Sequence, residues 1–264
     1  MTYETIQLFI PNRKNLKLAT EIFKPKGDGP FPVVFLFHGF KGYKEDAGLV
    51  DIGKRLAEKG LISVRFTSSC FGDSEGSISD YRFSDYRSDA LCVFNTISEF
   101  SFVDSALIGV YGHSIGGKLA VLFCADHPDI RAVCIASAPV SFIGTEYEAL
   151  LGEWKTKGYI TSVSSRDKRV IQIPYEYVLD VDSPMHDVLA AAQKLHALSA
   201  RVIVGDNDTE VPMKETKKIY DALACSKEFM IIQGMPHKYS REPLLIPKMT
   251  DPVVEFFTSH VKTE

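Results

Sequence analysis

Three positions in this sequence have the side chains to break an acyl bond together: Ser114, an aspartate in the stretch 205–212, and His237. A serine hydroxyl is a poor nucleophile until a base takes its proton, and that base must be held by a third group. Ser114 sits in Gly112-His113-Ser114-Ile115-Gly116. An apolar, strand-like run from Ala106 to Tyr111 precedes it, and a helix-like run from Lys118 to Ala125 follows. A serine on such a strand-to-helix turn projects its hydroxyl from the sheet edge, and the flanking glycines let the chain reverse without a Cβ clash. The helix start behind it offers unpaired N–H groups where an oxyanion would develop. The acid candidates are Asp206 and Asp208, in Gly205-Asp206-Asn207-Asp208-Thr209-Glu210-Val211-Pro212, and the base candidate closes Gly234-Met235-Pro236-His237. The order nucleophile, acid, histidine is one of the known chain orders of this triad.

Elements must bring these distant positions together. Residues 5–10 and 16–23 read as a hairpin, with Asn12 and Asn15 in its connection. Phe31–Phe37 is continuously apolar, the pattern of a strand buried on both faces. Helical spacing over 48–59, strand 61–66, a long polar loop 67–81 and an amphipathic helix 84–99 follow. After the Ser114 unit come strands 132–136, 201–204 and 228–232, and a closing helix over 249–261 entered through Pro252. Strands alternating with helices predict an α/β fold with a mostly parallel sheet. Right-handed crossovers put ligand chemistry at the carboxyl ends of the strands, where Ser114, Asp208 and His237 all fall.

The stretch 139–184 breaks the alternation. It mixes charge with Phe142, Tyr147, Trp154, Tyr159, Tyr175 and Tyr177, and it is too long for a structureless loop. The expectation is an insertion over the active-site edge, with a helix over 145–157 and a hairpin from 159–164 and 168–173.

These residues resemble the α/β-hydrolase family, and the resemblance covers nearly the whole chain except 139–184. The chain looks most like small bacterial carboxylesterases of the cinnamoyl or feruloyl esterase kind, and it is similar to acyl-peptidase-like hydrolases. The resemblance implies an α/β-hydrolase fold, one domain over 1–264 with a mostly parallel sheet flanked by helices; the stretch 139–184, outside the resemblance, is expected to form a small cap. The family's Gly-x-x-Asp-x-x-Val-Pro pattern selects Asp208 over Asp206, so the implied catalytic set is Ser114, Asp208 and His237. His38-Gly39-Phe40 looks like the start of the family's oxyanion loop, which implies that the Phe40 and Ile115 N–H groups form the oxyanion hole and that His38 orients this loop. Phe71-Gly72-Asp73-Ser74-Glu75-Gly76 resembles the family's Gly-x-Gly-x-Ser loop in altered form. The implied reaction is hydrolysis of a small acyl ester through an acyl-enzyme. An amidase or peptidase with the same triad, and a non-catalytic ligand-binding protein on this fold, are the alternatives. No cofactor or metal is expected.

Composition narrows the rest. With 264 residues and 45% hydrophobic content, the chain can bury a sizeable core. A net charge of −4 without a basic block argues against nucleic-acid binding. No apolar run approaches the roughly 20 residues of a membrane span. The five cysteines (Cys70, Cys92, Cys124, Cys134 and Cys225) form no Cys-x-x-Cys pair, which reads as free thiols rather than a disulfide framework or a zinc site. Residues 1–5 lack the basic and apolar regions of a signal peptide, so a cytoplasmic protein is expected. The sequence leaves the oligomeric state open, a homodimer included.

Overall fold

The computed structural model describes residues 2–164, 166 and 168–261. The opening hairpin forms from β1 (Tyr3–Pro11) and β2 (Lys17–Pro25). Then come β3 (Phe31–Phe37), α1 (Ala47–Glu58), β4 (Ile62–Phe66), α2 (Phe83–Ser98), β5 (Val103–His113), α3 (Ile115–Asp126) and β6 (Ala132–Ala136). Eight strands make one sheet in the order β1-β2-β4-β3-β5-β6, followed by β9 (Ser199–Gly205) and β10 (Ser226–Ile232). Within this sheet, among the described residues, only the pairs β1–β2 and β2–β4 are antiparallel. From β4 to β10 all pairs are parallel.

The unbroken apolar run of β3 is explained by two cores. Val33, Phe35 and Phe37 enter the core shared with α2 and α3, whereas Val34 and Leu36 enter the one shared with α1 and α8 (Ile246–His260). Each strand residue therefore buries its side chain on one face or the other, as a parallel sheet with helices on both sides requires. Among the described residues, no helix is long and apolar enough to cross a membrane.

Between β6 and β9 the chain builds α4 (Leu151–Lys157), a separate antiparallel hairpin of β7 (Tyr159–Val163) and β8 (Val170–Pro174), α5 (Glu176–Val181) and α6 (Val188–Ala192). The expected helix over 145–157 is shorter than its sequence suggests, because a 3₁₀ turn at Glu148–Leu150 precedes α4. The sequence pattern predicts no helix at α5, α6 or α7 (Met213–Ala222). Of α7 only Glu215, Thr216 and Ile219 are buried, too sparse an apolar stripe to declare a period. The loop 67–81 is less exposed than its polar composition implies, since Thr67 to Phe71 and Ser74 are all buried.

Candidate active site

The turn after β5 is fixed by backbone contact. A Cβ on Gly112 would lie 2.0 Å from the Gly116 carbonyl oxygen, and one on Gly116 would lie 2.4 Å from that of Phe37. Both distances are far inside van der Waals contact, so glycine is obligatory at the two positions. Between them Ser114 takes φ 57° and ψ −126°, a region that L-residues with a Cβ rarely occupy. Its N–H is bonded to Ala136 O at 2.8 Å, which ties the strained turn to β6.

Ser114 Oγ lies 3.0 Å from His237 Nε2, and His237 Nδ1 lies 2.8 Å from Asp208 Oδ2. All three residues are buried. The other Asp208 oxygen accepts the backbone N–H groups of Val211 at 2.8 Å and Glu210 at 3.1 Å. Burial alone would raise the Asp208 pKa. The hydrogen bond to His237, its charge, the Val211 N–H and the Ser137 hydroxyl outweigh that effect, and the carboxyl stays below its ordinary range. Asp206 instead accepts the Gly234 N–H, bracing the histidine loop from outside. The loops carrying Asp208 and His237 touch at Gly205, where a Cβ would stand 2.0 Å from the Met235 carbonyl oxygen. The structure thus brings Ser114, Asp208 and His237 together and leaves Asp206 on the scaffold.

Phe40 and Ile115 flank the same space. Gly39 packs directly on Ser114, since a Cβ there would approach the Ser114 Cβ to 3.2 Å. Among the described residues, neither the Phe40 N–H nor the Ile115 N–H donates a hydrogen bond. Two unpaired donors beside a serine hydroxyl are an arrangement that can receive an oxyanion.

Several supporting residues carry weaker sequence signals. His38 accepts the Ser68 N–H at Nε2 (3.1 Å) and places Nδ1 2.8 Å from Gly39 O. Its ring stacks on Tyr86 at 4.6 Å, and the Tyr86 hydroxyl donates to His38 O. Burial drives the His38 pKa down to about 4, so the ring stays neutral and can serve as both donor and acceptor. Ser69 N–H donates to buried Asp89, and Ser74 Oγ donates to Thr67 O while accepting from Ala19 N–H. The altered loop 71–76 therefore pins the backbone that holds His38. His113 lies against His237, ring to ring at 4.7 Å. Burial first, and then the charge of a protonated His237, lowers its pKa to about 3. Cys70 is buried, which pushes its thiol up to about 11 and leaves it a weak nucleophile.

Lys118 is a buried lysine on the otherwise apolar α3. It donates to Val140 O at 2.8 Å and Val181 O at 2.7 Å. These carbonyls lie near the two ends of the stretch 139–184, which Lys118 thereby ties to the helix that follows Ser114. The sequence signal was a lone charge in Ile115–Cys124, where every residue is buried.

A cleft of about 890 Å³ opens over Ser114 and His237, with Phe40, Tyr147, Val163 and Lys238 among its walls. A smaller hollow of about 270 Å³ lies beside Ser105 and Ile108, at the opposite end of β5 from Ser114. Among the described residues no cluster of side chains could hold a metal ion.

Known proteins share this architecture. The zebrafish (Danio rerio) lysophosphatidylserine lipase ABHD12 is 27% identical over 206 residues, covering 74% of this chain and 48% of its own length. The structure of Est1E from Butyrivibrio proteoclasticus with ferulic acid bound superimposes with a TM-score of 0.77 at 21% identity, over 96% of this chain and 99% of that one. Mouse ABHD10 (alpha/beta hydrolase domain-containing protein 10) superimposes with a TM-score of 0.76 at 19% identity, over 96% and 99%. These likenesses establish the α/β-hydrolase fold. The model of the X-Pro dipeptidyl-peptidase (S15) family matches residues 14–151, and that of the prolyl oligopeptidase family matches residues 83–264. Both matches span more than half of the sequence, and the second also takes in the Ser114 turn, the Asp208 loop and the His237 loop, so the chain belongs to the prolyl oligopeptidase family of serine α/β-hydrolases.

Proposed function

We propose that this protein hydrolyses carboxylic esters through an acyl-enzyme, with Ser114 as nucleophile, His237 as base and Asp208 as its orienting acid. The observation that carries this reading is the hydrogen-bonded chain from Ser114 Oγ through His237 to Asp208, set beneath an open cleft. As Ser114 Oγ attacks the carbonyl carbon, its proton passes to His237 Nε2. Asp208 holds the Nδ1–H tautomer and stabilises the imidazolium. Negative charge gathers on the carbonyl oxygen, which the Phe40 and Ile115 N–H groups receive. His237 then protonates the leaving alcohol, and it later deprotonates the water that releases the acid. No step calls for a metal or an organic cofactor. Residues 139–184 serve as the cap that sets acyl and alcohol preference.

The test is hydrolysis of short-acyl p-nitrophenyl esters together with labelling by a fluorophosphonate probe. Turnover with labelling at Ser114 is expected; the absence of both would overturn the proposal. A second reading, an amidase or peptidase using the same residues, is favoured by the two peptidase family matches. Comparing kcat/KM on matched ester and amide substrates separates the two readings.

A further inference from the structure

One cation in the cleft has no part in the chemistry above. Lys41 follows Phe40 in the turn after β3, with φ 58°. Its Nζ donates to Ser162 Oγ at 3.1 Å and lies over the Phe40 and Tyr147 rings, at 5.2 and 5.5 Å from their centroids. The residue is half-buried and lines the cleft. Among the described residues its ammonium forms no ion pair, and the carboxylates around the cleft are engaged elsewhere. Glu210 is bound by Lys238 at 2.5 Å, with Glu146 4.0 Å from the same ammonium. Asp46 accepts the Gly48 and Leu49 N–H groups and the Ser240 hydroxyl. Glu45 is bound by Lys44 at 2.5 Å. Arg241 also lines the cleft and is exposed, and among the described residues its guanidinium makes no hydrogen bond or ion pair.

Burial, and then the Lys238 and Arg241 charges, hold the Lys41 pKa below the usual lysine range, although Glu146 and Glu210, both bound to Lys238, pull it the other way. The aromatic rings and Ser162 hold this half-buried ammonium in the cleft with no carboxylate at ion-pair distance among the described residues, so a ligand that brings an anion gains a charge-assisted bond. Lys41 also stands directly after Phe40, so such an anion would lie close to the attacked carbonyl.

We propose that Lys41, with Arg241 at the rim, forms a subsite for an anionic group, a carboxylate or a phosphate, on the ester that Ser114 attacks. This rests on the ester-hydrolase reading, and the experiment separates the two. The first arm compares kcat/KM for 4-nitrophenyl hydrogen glutarate with that for 4-nitrophenyl valerate, which matches it in length but is neutral. In Lys41→Met the glutarate-to-valerate ratio should fall on the order of tenfold or more, the scale of one charge-assisted bond. Lys41→Arg should restore most of the ratio. Lys54→Met, on the exposed face of α1, should keep the wild-type value. The second arm needs no turnover: calorimetric binding of glutarate and of inorganic phosphate to Ser114→Ala, with and without Lys41→Met. Binding that weakens when Lys41 is replaced supports the subsite even in a protein that cleaves neither ester, and whichever anion binds more tightly names the group. An unchanged ratio in Lys41→Met, or anion binding to Ser114→Ala that does not depend on Lys41, would overturn it.

Discussion

Two regions meet at Phe40, and different physics holds each in place. On the sheet side, the Ser114 turn and the Asp208 and His237 loops are fixed by backbone against backbone. Gly112 faces Gly116, Gly116 faces Phe37, and Gly205 faces Met235, each with no room for a Cβ. On the other side, the aromatic residues of the stretch 139–184 meet Phe40 through side chains. Tyr177 stacks on Phe40 at 4.7 Å and on Tyr81 at 4.8 Å. Phe142, Tyr147 and Trp154 pack around the same Phe40 ring at 5.6, 5.5 and 6.5 Å. The first region tolerates no change of backbone shape. The second can repack while the chain path is kept. The Ser114 turn and the cleft above it therefore answer to different kinds of change, and Phe40 is where a change in one reaches the other.

The contrast breaks most severely at Ser114. Ser114→Ala should lower kcat by a factor on the order of 10⁶, as expected when nucleophile and base act as a unit. It should leave stability almost unchanged, because alanine keeps the Cβ that makes φ 57° unfavourable. Ser114→Gly should be equally inactive but about 1 kcal/mol more stable, since relieved strain exceeds glycine's extra unfolded-state entropy. In a chain of this size that is a rise in Tm of about 2–4 °C. Scanning calorimetry on the two variants checks this. Equal melting temperatures would mean that the turn stores no strain.

The acid loop should separate two aspartates that differ little in sequence. Asp208→Asn keeps the shape but leaves His237 in the wrong tautomer, and kcat should fall on the order of 10⁴-fold. Asp206→Asn still offers an oxygen to the Gly234 N–H, so its activity should stay within about tenfold of wild type. A larger loss in Asp206→Asn than in Asp208→Asn would reverse the assignment.

The side-chain region should respond by degrees. Tyr177→Ala removes a fully buried ring from between Phe40 and Tyr81, and should destabilise the protein by about 3–5 kcal/mol. Because Phe40 loses its stacking partner, kcat should fall as well, by roughly tenfold, through a displaced N–H. Tyr177→Phe keeps the stack and should restore both properties. Urea unfolding together with ester kinetics tests this. A loss of stability with kcat intact would show that the ring pile does not position Phe40.

This difference also decides what the sequence could disclose. The strands, the Ser114 turn and the order of acid and histidine were legible because each is written in neighbouring residues: an apolar run, a glycine pair, a loop after a strand. Asp208 could be told from Asp206 only by family resemblance, because both stand in the same loop. Lys118 and His38 were harder to place. Nothing near them in sequence announces that the partners are Val140, Val181 and Ser68. Helices α5 to α7 are short or sparsely apolar and stay below the threshold of periodicity. The ring contacts around Phe40 join residues a hundred or more positions apart, and composition alone could only say that aromatic residues were present.

His38 belongs to both regions, since its ring is stacked on Tyr86 while its backbone begins the turn that carries Phe40. Its folded pKa of about 4 lies below the ordinary histidine value of 6.5. The unfolded chain therefore binds a proton at a pH where the folded one does not. The resulting stability is fully present above pH 6.5 and is lost as pH falls from there towards 4, on the order of 3 kcal/mol in all. Unfolding by urea at steps from pH 7.5 to 4 should trace this loss in the wild type. His38→Gln keeps an amide donor and acceptor but cannot titrate, so its curve should be shallower over that window, although its stability at pH 7.5 is lower. Parallel curves for the two proteins would mean that the acid sensitivity arises elsewhere, with buried His113 as the next group to replace.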